Sequence, residues 1–314
     1  MSNLPSLDQA REARERIAPY VRRTPTYAYG GVAYKLELLQ VTGAFKARGA
    51  FNAALQLDAQ HRARGVVAVS GGNHGLAVAH VGKALGMRAT VVMPESTPAR
   101  IVERAREDGA EVILVPTIAE AFALTEERRA QGQAVIHPYD DQAVMAGQGT
   151  IGFELLEDIP DLETLIVSIG GGGLIAGVAS VVKSLRPSVR VYGVETEGAD
   201  AMRKALDAGK PVTLPAITSI AKTLGAPYVS PSTLEAVQRY VEDVVVVSDA
   251  QAVDAIVTIQ DALHVLAEPA ASCCHAALVS GLVPRAKEGT TAILVCGGNV
   301  SLDDVAAWRA ELRV

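Results

Sequence analysis

The sequence predicts an α/β protein whose sheets are open, twisted and mostly parallel. Short runs rich in valine, isoleucine and leucine alternate along the 314 residues with longer amphipathic stretches. This pattern is expected when helices cover both faces of a parallel sheet. The length leaves room for two domains. The predicted buried strands are residues 66–70, 89–93, 111–115, 164–169, 189–195, 243–247 and 291–296.

Helix starts are marked by residues that cap free backbone amides. Ser6 and Gln9 form the pattern of a capping box ahead of the first predicted helix. Ser248 and Ser301 precede two later helical stretches in the same way. These signals predict where helices begin between the strands.

Composition and charge exclude several classes of function. The chain has 29 Lys and Arg against 35 Asp and Glu, a formal net charge of −6, so nucleic acid is not an expected partner. The 3 cysteines fit neither a disulfide framework nor a zinc site, which predicts a cytoplasmic protein. Because no signal peptide and no apolar run of about 18 residues is found, we expect no membrane association.

The first segment with chemical potential is residues 35–49. Lys46 falls in the first turn of a predicted helix, after an extended run that ends at Thr42 and Gly43. The positive end of the helix dipole disfavours an ammonium group there and should lower the pKa of Lys46. From position alone, Lys46 is either a reactive amine or an ordinary solvated lysine.

The second segment, residues 70–75, follows a predicted strand with small residues and then a helix. Its backbone amides could form a nest for a carboxylate or a phosphate. The alternative is a tight turn with Asn73 in a left-handed conformation.

The third segment contains four consecutive glycines, residues 170–173, between a strand and a helix. Their conformational cost favours close approach of the backbone to an anion. A rival interpretation is a dinucleotide site, in which Gly171, Gly173 and Gly177 hold the phosphates and Glu195 holds the ribose.

The fourth segment places Cys296 at the end of a predicted strand, ahead of Gly297 and Gly298. A thiol at that edge can face a bound ligand. A small buried side chain with no function is the alternative.

Together and in this order, these segments resemble the serine/threonine dehydratase family of pyridoxal-phosphate enzymes, a fold type II group (tryptophan synthase β-like) that includes serine racemase. The similarity runs from about residue 15 to residue 300. Its most specific part is the stretch from Gln40 to Ala50. This stretch is similar to the family's lysine motif and implies that Lys46 is the Schiff-base lysine and catalytic base.

The resemblance also implies roles for other residues. Phe45 would pack against the pyridine ring, Asn73 would bond the 3-oxygen, and Cys296 would face the ring nitrogen. The implied set that binds pyridoxal 5′-phosphate is Phe45, Lys46, Asn73, Gly170, Gly171, Gly172, Gly173, Leu174, Glu268 and Cys296. The implied set that holds the substrate, through its carboxylate, is Ser70, Gly71, Asn73 and His74.

Domain organisation and assembly follow from the same resemblance. It implies a large cofactor-binding domain of residues 1–48 and 144–314, and a small substrate-side domain of residues 49–143, with the cofactor cleft between them. It also implies a homodimer or homotetramer. A Mg²⁺ or Ca²⁺ site at Glu195, Ala199 and Asp200 is left open, because the second carboxylate lies one place away from the family pattern.

The function implied is a lyase that converts an L-β-hydroxy amino acid, L-threonine or L-serine, to a 2-keto acid and ammonia. One alternative is a racemase, although Gly71 stands where family racemases carry a serine opposite the lysine. The more distant alternative is a dinucleotide-binding oxidoreductase. A second departure from the family lies at residues 221–227, where an Ala-Lys-Thr sequence replaces the usual Ala-Asp-Gly.

Overall fold

The computed structural model describes residues 3–314, within which the strands form two separate sheets. In chain order the strands are β1 (Thr26–Tyr29), β2 (Val32–Leu36), β3 (Val66–Val69), β4 (Ala89–Pro94), β5 (Glu111–Val115), β6 (Ala134–Val135), β7 (Leu162–Ser168), β8 (Arg190–Thr196), β9 (Asp243–Val247) and β10 (Thr290–Val295). The larger sheet has the order β1-β2-β10-β7-β8-β9, and the smaller has the order β5-β4-β3-β6.

Nearly all strand pairs are parallel, and the predicted fold class is confirmed. The exception is the β1–β2 hairpin, which is antiparallel. The other pairings of both sheets run parallel. β3 is buried along its whole length, as its unbroken run of apolar residues predicts for a central parallel strand.

Helices connect the strands and cover the sheets. They are α1 (Leu7–Ile17), α2 (Lys46–Leu55), α3 (Ala59–Arg64), α4 (Asn73–Leu85), α5 (Ala99–Glu107), α6 (Ile118–Ala130), α7 (Gln142–Asp158), α8 (Gly173–Leu185), α9 (Ala201–Ala208), α10 (Pro231–Tyr240), α11 (Asp249–Leu263), α12 (Pro269–Val279) and α13 (Leu302–Leu312). The capping residues predicted at Ser6, Ser248 and Ser301 are confirmed. Each serine side chain accepts from the amide of the third helical residue, and each serine amide donates to the side chain of that residue.

The two sheets divide the chain unequally. Every strand of the smaller sheet lies between residues 66 and 135, whereas the larger sheet takes its strands from residues 26–36 and 162–295. The division into domains 1–48 with 144–314, and 49–143, stays a prediction. Among the described residues, no helix is both long and apolar enough to span a bilayer.

The position of β10 brings the lysine motif and the cysteine segment together. β10 lies between β2 and β7, so its end is adjacent to the chain that leaves β2. The amide of Phe45 donates a hydrogen bond to the carbonyl oxygen of Cys296 over 3.0 Å, and the amide of Gly298 donates to Gly43 over 3.0 Å. Two segments far apart in sequence therefore meet at the carboxyl edge of the larger sheet, where open α/β sheets bind ligands.

Candidate active site

Lys46 is the first residue of α2, as predicted, and its amine has an unusual environment. Nζ donates a hydrogen bond of 2.7 Å to the carbonyl oxygen of Pro138 and lies 5.0 Å from the centre of the Phe45 ring. The side chain keeps partial solvent exposure. Burial of the amine nevertheless lowers the pKa of Lys46 to about 8, although the nearby Cys296 and Glu268 oppose the shift. The predicted direction is confirmed, but burial is the main cause instead of the helix dipole.

The loop between β3 and α4 is shaped by two threonines. Ser70 Oγ accepts a hydrogen bond of 3.1 Å from the amide of Gly72. A Cβ on Gly71 would lie 2.3 Å from Thr97 Oγ1, and one on Gly72 would lie 3.3 Å from Thr223 Cγ2. These side chains fill the space beside the loop, so it has little room for side chains of its own.

The alternative interpretation of this loop, with Asn73 in a left-handed conformation, is wrong. Asn73 begins α4, and it is not among the described residues with positive φ. Its side chain is held on both sides. Asn73 Nδ2 donates to Glu268 Oε1 over 2.7 Å, and Asn299 Nδ2 donates to Asn73 Oδ1 over 2.7 Å. The second hydrogen on Asn73 Nδ2 is available to a ligand.

Glu268 connects the loop to the residues around Lys46. Burial raises the pKa of Glu268 to about 7, against the hydrogen bonds from Asn73 and Thr223 and the charge of Lys46. Thr223 Oγ1 lies 3.3 Å from Glu268 Oε1. Near neutral pH this carboxyl group can therefore exist with or without its proton.

The four glycines between β7 and α8 form a site for an anion. Gly172 caps α8 with φ of +91°, in the left-handed region that favours glycine. A Cβ on Gly171 would lie 2.2 Å from a ring carbon of Tyr139. No described residue accepts a hydrogen bond from the amides of residues 170–174. These unpaired amides at a helix N-terminus favour a phosphate or carboxylate.

Cys296 lies at the end of β10 and is only 3% exposed. Ser168 Oγ donates a hydrogen bond to Cys296 Sγ over 3.4 Å, and Sγ lies 3.6 Å from the carbonyl oxygen of Ala270. Burial raises the pKa of Cys296 well above its usual range. The side chain is therefore a neutral thiol.

Five groups in this region received no role from the sequence: the carbonyl of Pro138 and the side chains of Thr97, Tyr139, Thr223 and Asn299. Asn299 has the most contacts, because its Nδ2 also donates to the carbonyl oxygen of Thr42 over 2.9 Å and its Oδ1 accepts from Arg104 over 2.6 Å. Two of these residues lie in stretches that the sequence analysis singled out. Asn299 is the last residue of the glycine-rich segment after β10, and Thr223 lies within residues 221–227, where the sequence differs from the family. Thr97, Tyr139 and Pro138 gave no comparable signal.

The residues predicted for a metal are engaged with the protein. Glu195 is 0% exposed, and its two carboxylate oxygens accept hydrogen bonds from the amides of Met202 over 2.9 Å and Arg203 over 2.7 Å. Asp200 pairs with Lys204 over 2.9 Å. No group of three or more His, Cys, Asp or Glu among the described residues is arranged to hold a metal ion. The cation site at Glu195, Ala199 and Asp200 stays a prediction, and Glu195 is not free to hold a ribose.

The remaining groups suit pyridoxal phosphate. An amine with a lowered pKa can form a Schiff base with its aldehyde, and the unpaired amides of residues 170–174 can hold its phosphate. The Phe45 ring lies close to the amine, and the thiol of Cys296 and the carboxyl group of Glu268 lie near enough to affect its pKa. The donors and acceptors present therefore match this cofactor.

Comparison with known proteins finds relatives among amino-acid dehydratases, ammonia-lyases and racemases. The chain is 39% identical to a phenylserine dehydratase of Ralstonia pickettii, over 99% of this chain and 97% of the relative. It is 38% identical to an L-threonine ammonia-lyase of Thermotoga maritima, over 95% of this chain and 76% of the relative. The solved structure of maize serine racemase superposes with a TM-score of 0.91 at 36% identity, and the match covers 98% of this chain and 97% of the other.

The match to a family model extends over most of the chain. Residues 17–297 match the model described as "Pyridoxal-phosphate dependent enzyme". The resemblance that the four segments predicted is thereby confirmed, and the dinucleotide interpretation has no support. The chain belongs to the family of pyridoxal-phosphate dependent enzymes, with the fold type II architecture of threonine deaminases and serine racemases.

Proposed function

We propose that the protein is a dehydratase that converts an L-β-hydroxy amino acid, L-threonine or L-serine, to a 2-keto acid and ammonia. The observation that carries this proposal is Lys46, an amine whose pKa is lowered to about 8. It bonds the carbonyl of Pro138, and the next residue, Tyr139, packs against the glycine loop with its unpaired amides. The names of two relatives, a phenylserine dehydratase and an L-threonine ammonia-lyase, support the lyase class. The first of them adds L-phenylserine to the substrates to be tested.

Lys46 is the general base of the proposed reaction. Bound pyridoxal phosphate withdraws electrons from Cα of the substrate and makes its hydrogen acidic. The neutral amine of Lys46 takes this proton, and the carbonyl oxygen of Pro138, 2.7 Å from Nζ, stabilises the ammonium that forms. Lys46 can then return the proton to the departing β-hydroxyl. Water hydrolyses the released enamine to the keto acid and ammonia.

Other residues bind and orient. The amides of residues 170–174 would hold the cofactor phosphate, and binding energy there would help to orient Cα toward Lys46. The second hydrogen of Asn73 Nδ2 would donate to an oxygen of the cofactor, while Glu268 and Asn299 fix the plane of the Asn73 amide. The amides of Gly71, Asn73 and His74, which bond no described residue, hold the substrate carboxylate, whereas those of Ser70 and Gly72 already donate within the protein.

Racemisation is the second candidate, and one observation bears on it. The family resemblance puts residue 71 opposite Lys46, where racemases have a serine, and glycine carries no proton there. Thr97 Oγ1 lies 2.3 Å from the place of a Cβ on Gly71 and makes no hydrogen bond to a described residue. The hydroxyl of Thr97 is therefore the group that would have to donate a proton to that face.

The main test is keto-acid release by purified protein over a panel of L- and D-threonine, L- and D-serine and L-phenylserine. We expect turnover of at least one L-β-hydroxy amino acid. Borohydride should fix a phosphopyridoxyl group on Lys46, detected by mass spectrometry. Lys46→Ala should reduce turnover by at least roughly 10²- to 10⁴-fold, the range for loss of a general base alone, whereas exposed Lys210→Ala is the matched control. A colourless protein without keto-acid release would contradict the proposal.

Chiral chromatography separates the racemase alternative. Native protein should form little D-serine from L-serine, because Gly71 offers no proton donor. Gly71→Ser alone should disturb the loop, since its Cβ would collide with Thr97. The double variant Gly71→Ser/Thr97→Ala has room for a serine hydroxyl and should gain slow D-serine formation. Equal L and D pools with native protein, lost in Thr97→Ala, would favour the racemase with Thr97 as donor.

A further inference from the structure

The His74 ring leaves one nitrogen without a partner. His74 lies in the first turn of α4 and is 3% exposed. Its Nε2 lies 2.7 Å from the carbonyl oxygen of Ile136. A carbonyl oxygen only accepts hydrogen bonds, so Nε2 carries the hydrogen and Nδ1 has a bare lone pair. Nδ1 is buried, and no described residue donates a hydrogen bond to it.

Protonation does not turn the unpaired Nδ1 of His74 into a donor near neutral pH. Burial, with the charge of Lys46, lowers the pKa of His74 to about 3. Nδ1 is therefore an acceptor at every pH at which such a protein works. A buried acceptor without a donor costs free energy, and the few such atoms in native proteins call for a missing partner.

The location of His74 indicates where that partner comes from. His74 follows Asn73, which bonds Glu268, and it lies close enough to Lys46 for the lysine charge to act on the ring. Lys46 and His74 also bond carbonyl oxygens of one short segment, those of Pro138 and Ile136. These contacts place His74 among the groups around Lys46, so a ligand of this site is the donor that the geometry favours.

A substrate offers few donors. Its carboxylate only accepts hydrogen bonds, so it cannot pair with the bare lone pair of Nδ1. Its amine is taken up by the Schiff base with the cofactor. The β-hydroxyl is the donor that remains.

We propose that His74 Nδ1 accepts a hydrogen bond from the β-hydroxyl of the substrate, an inference that rests on the proposed dehydratase function. The side chain of His74 then selects for a hydroxyl at Cβ, and the carboxylate that the sequence assigned to it is held by the loop amides. A hydroxyl that donates to Nδ1 keeps its oxygen lone pairs free for the proton that makes it a leaving group. One contact therefore both recognises and orients the departing oxygen.

The test compares two substrates that give the same product. L-Serine carries the β-hydroxyl, whereas β-chloro-L-alanine carries chloride, and both yield pyruvate by elimination. His74→Leu removes the acceptor, and His74→Asn keeps an acceptor near the position of Nδ1. We expect His74→Leu to lower kcat/KM for L-serine by roughly 10- to 100-fold, typical of losing one buried hydrogen bond. The change for β-chloro-L-alanine should stay under about threefold, and His74→Asn should recover part of the loss.

The outcomes separate this inference from the function on which it rests. Equal losses for the two substrates, or no loss for L-serine, would overturn the role of His74 while the dehydratase proposal stands. Failure of native protein to release a keto acid from any of the L-β-hydroxy amino acids in the panel would overturn both. His61→Leu is the control, because His61 is an exposed histidine on α3.

A second measurement covers the case in which His74→Leu does not fold. Native holoenzyme labelled with ¹⁵N-histidine should show His74 as the Nε2-protonated tautomer. L-α-methylserine has the hydroxyl but no α-hydrogen, and 2-aminoisobutyrate lacks both. The Nδ1 resonance should move with L-α-methylserine only. A shift with both ligands, or with neither, would contradict the proposal.

Discussion

Lys46 and Arg48 are cations in the first turn of the same helix, yet they have very different surroundings. Lys46 keeps one acceptor, the carbonyl oxygen of Pro138. Arg48 is 1% exposed and pairs with two buried carboxylates, Glu37 over 2.7 Å and Glu154 over 2.7 Å. A third acceptor, Thr150 Oγ1, lies 3.1 Å from Nη1. We call Arg48, Glu37, Glu154 and Thr150, with Lys35, the Arg48 cluster.

The difference shows that neighbouring carboxylates determine whether the pKa of a buried cation falls or rises. Burial disfavours both cations, and at Lys46 it prevails, so the pKa falls to about 8. At Arg48 burial is outweighed by Glu37 and Glu154, which raise the pKa further. The same helix turn therefore carries an amine, Lys46, that loses its proton easily and can react. It also carries a guanidinium, Arg48, that stays charged and stabilises the fold.

The largest effect should come from breaking the Arg48 cluster. Arg48→Leu leaves Glu37 buried without its paired cation and leaves Glu154 with Lys35 alone. Breaking a buried ion pair in this way typically costs about 3–5 kcal/mol of unfolding free energy. Urea denaturation followed by circular dichroism measures the loss. Lys46→Ala, by contrast, should stay within about 1 kcal/mol of native protein. Exposed Arg106→Leu is the control, and a native midpoint for Arg48→Leu would show that the cluster adds no stability.

The pKa of Lys46 can be measured without turnover. In cofactor-free protein only the neutral amine attacks the aldehyde of pyridoxal phosphate, so the uptake rate should rise with pH. The midpoint should lie at a pH of about 8, below the 10.5 of an ordinary lysine. Stopped-flow absorbance follows the reaction, with Nα-acetyl-lysine as the unburied reference. A shared midpoint for the two amines would mean that burial does not tune Lys46.

A smaller effect should follow from removing one neutral partner of Arg48. Thr150→Val deletes the hydroxyl 3.1 Å from Nη1 but leaves both carboxylates in place. The expected loss of unfolding free energy is about 1.5–3 kcal/mol, as for one hydrogen bond to a charged group. Thermal unfolding of Thr150→Val and Thr150→Ser, which restores the hydroxyl, gives the comparison. A loss as large as that of Arg48→Leu would mean that the carboxylates alone cannot hold the charge.

Local patterns account for the parts of the fold that the sequence predicted. The valine-rich strands and the serine caps depend on neighbours in sequence, and they were found within a residue or two of their predicted bounds. The predicted list omitted β1, β2 and β6. β6 has two residues, and β1 is exposed over most of its length, so neither carries an apolar run. β2 is fully buried, but its residues include Tyr34 and Lys35, which interrupt the pattern.

The residues of the site also divide into those that local sequence predicts and those that it does not. Lys46, the glycine loop and Cys296 lie in unusual local sequences, and the structure brings them together. Thr97 and Pro138 reach the site only through long-range packing against Gly71 and Lys46. No local pattern encodes such a contact, because many other sequences place a threonine or a proline after a strand.

The pairing of β10 with β2 also has a consequence for biosynthesis. Val32 of β2 lies opposite Thr291 of β10, and β10 separates β2 from β7. The ribosome synthesises β2 long before β10. β2 therefore cannot form its parallel pairing until nearly all of the intervening chain has been synthesised. Until then the amide of Phe45 lacks its acceptor, the carbonyl oxygen of Cys296. We therefore expect the cofactor to bind only after nearly the whole chain has been synthesised. A chain cut before residue 290 should neither complete the larger sheet nor become yellow.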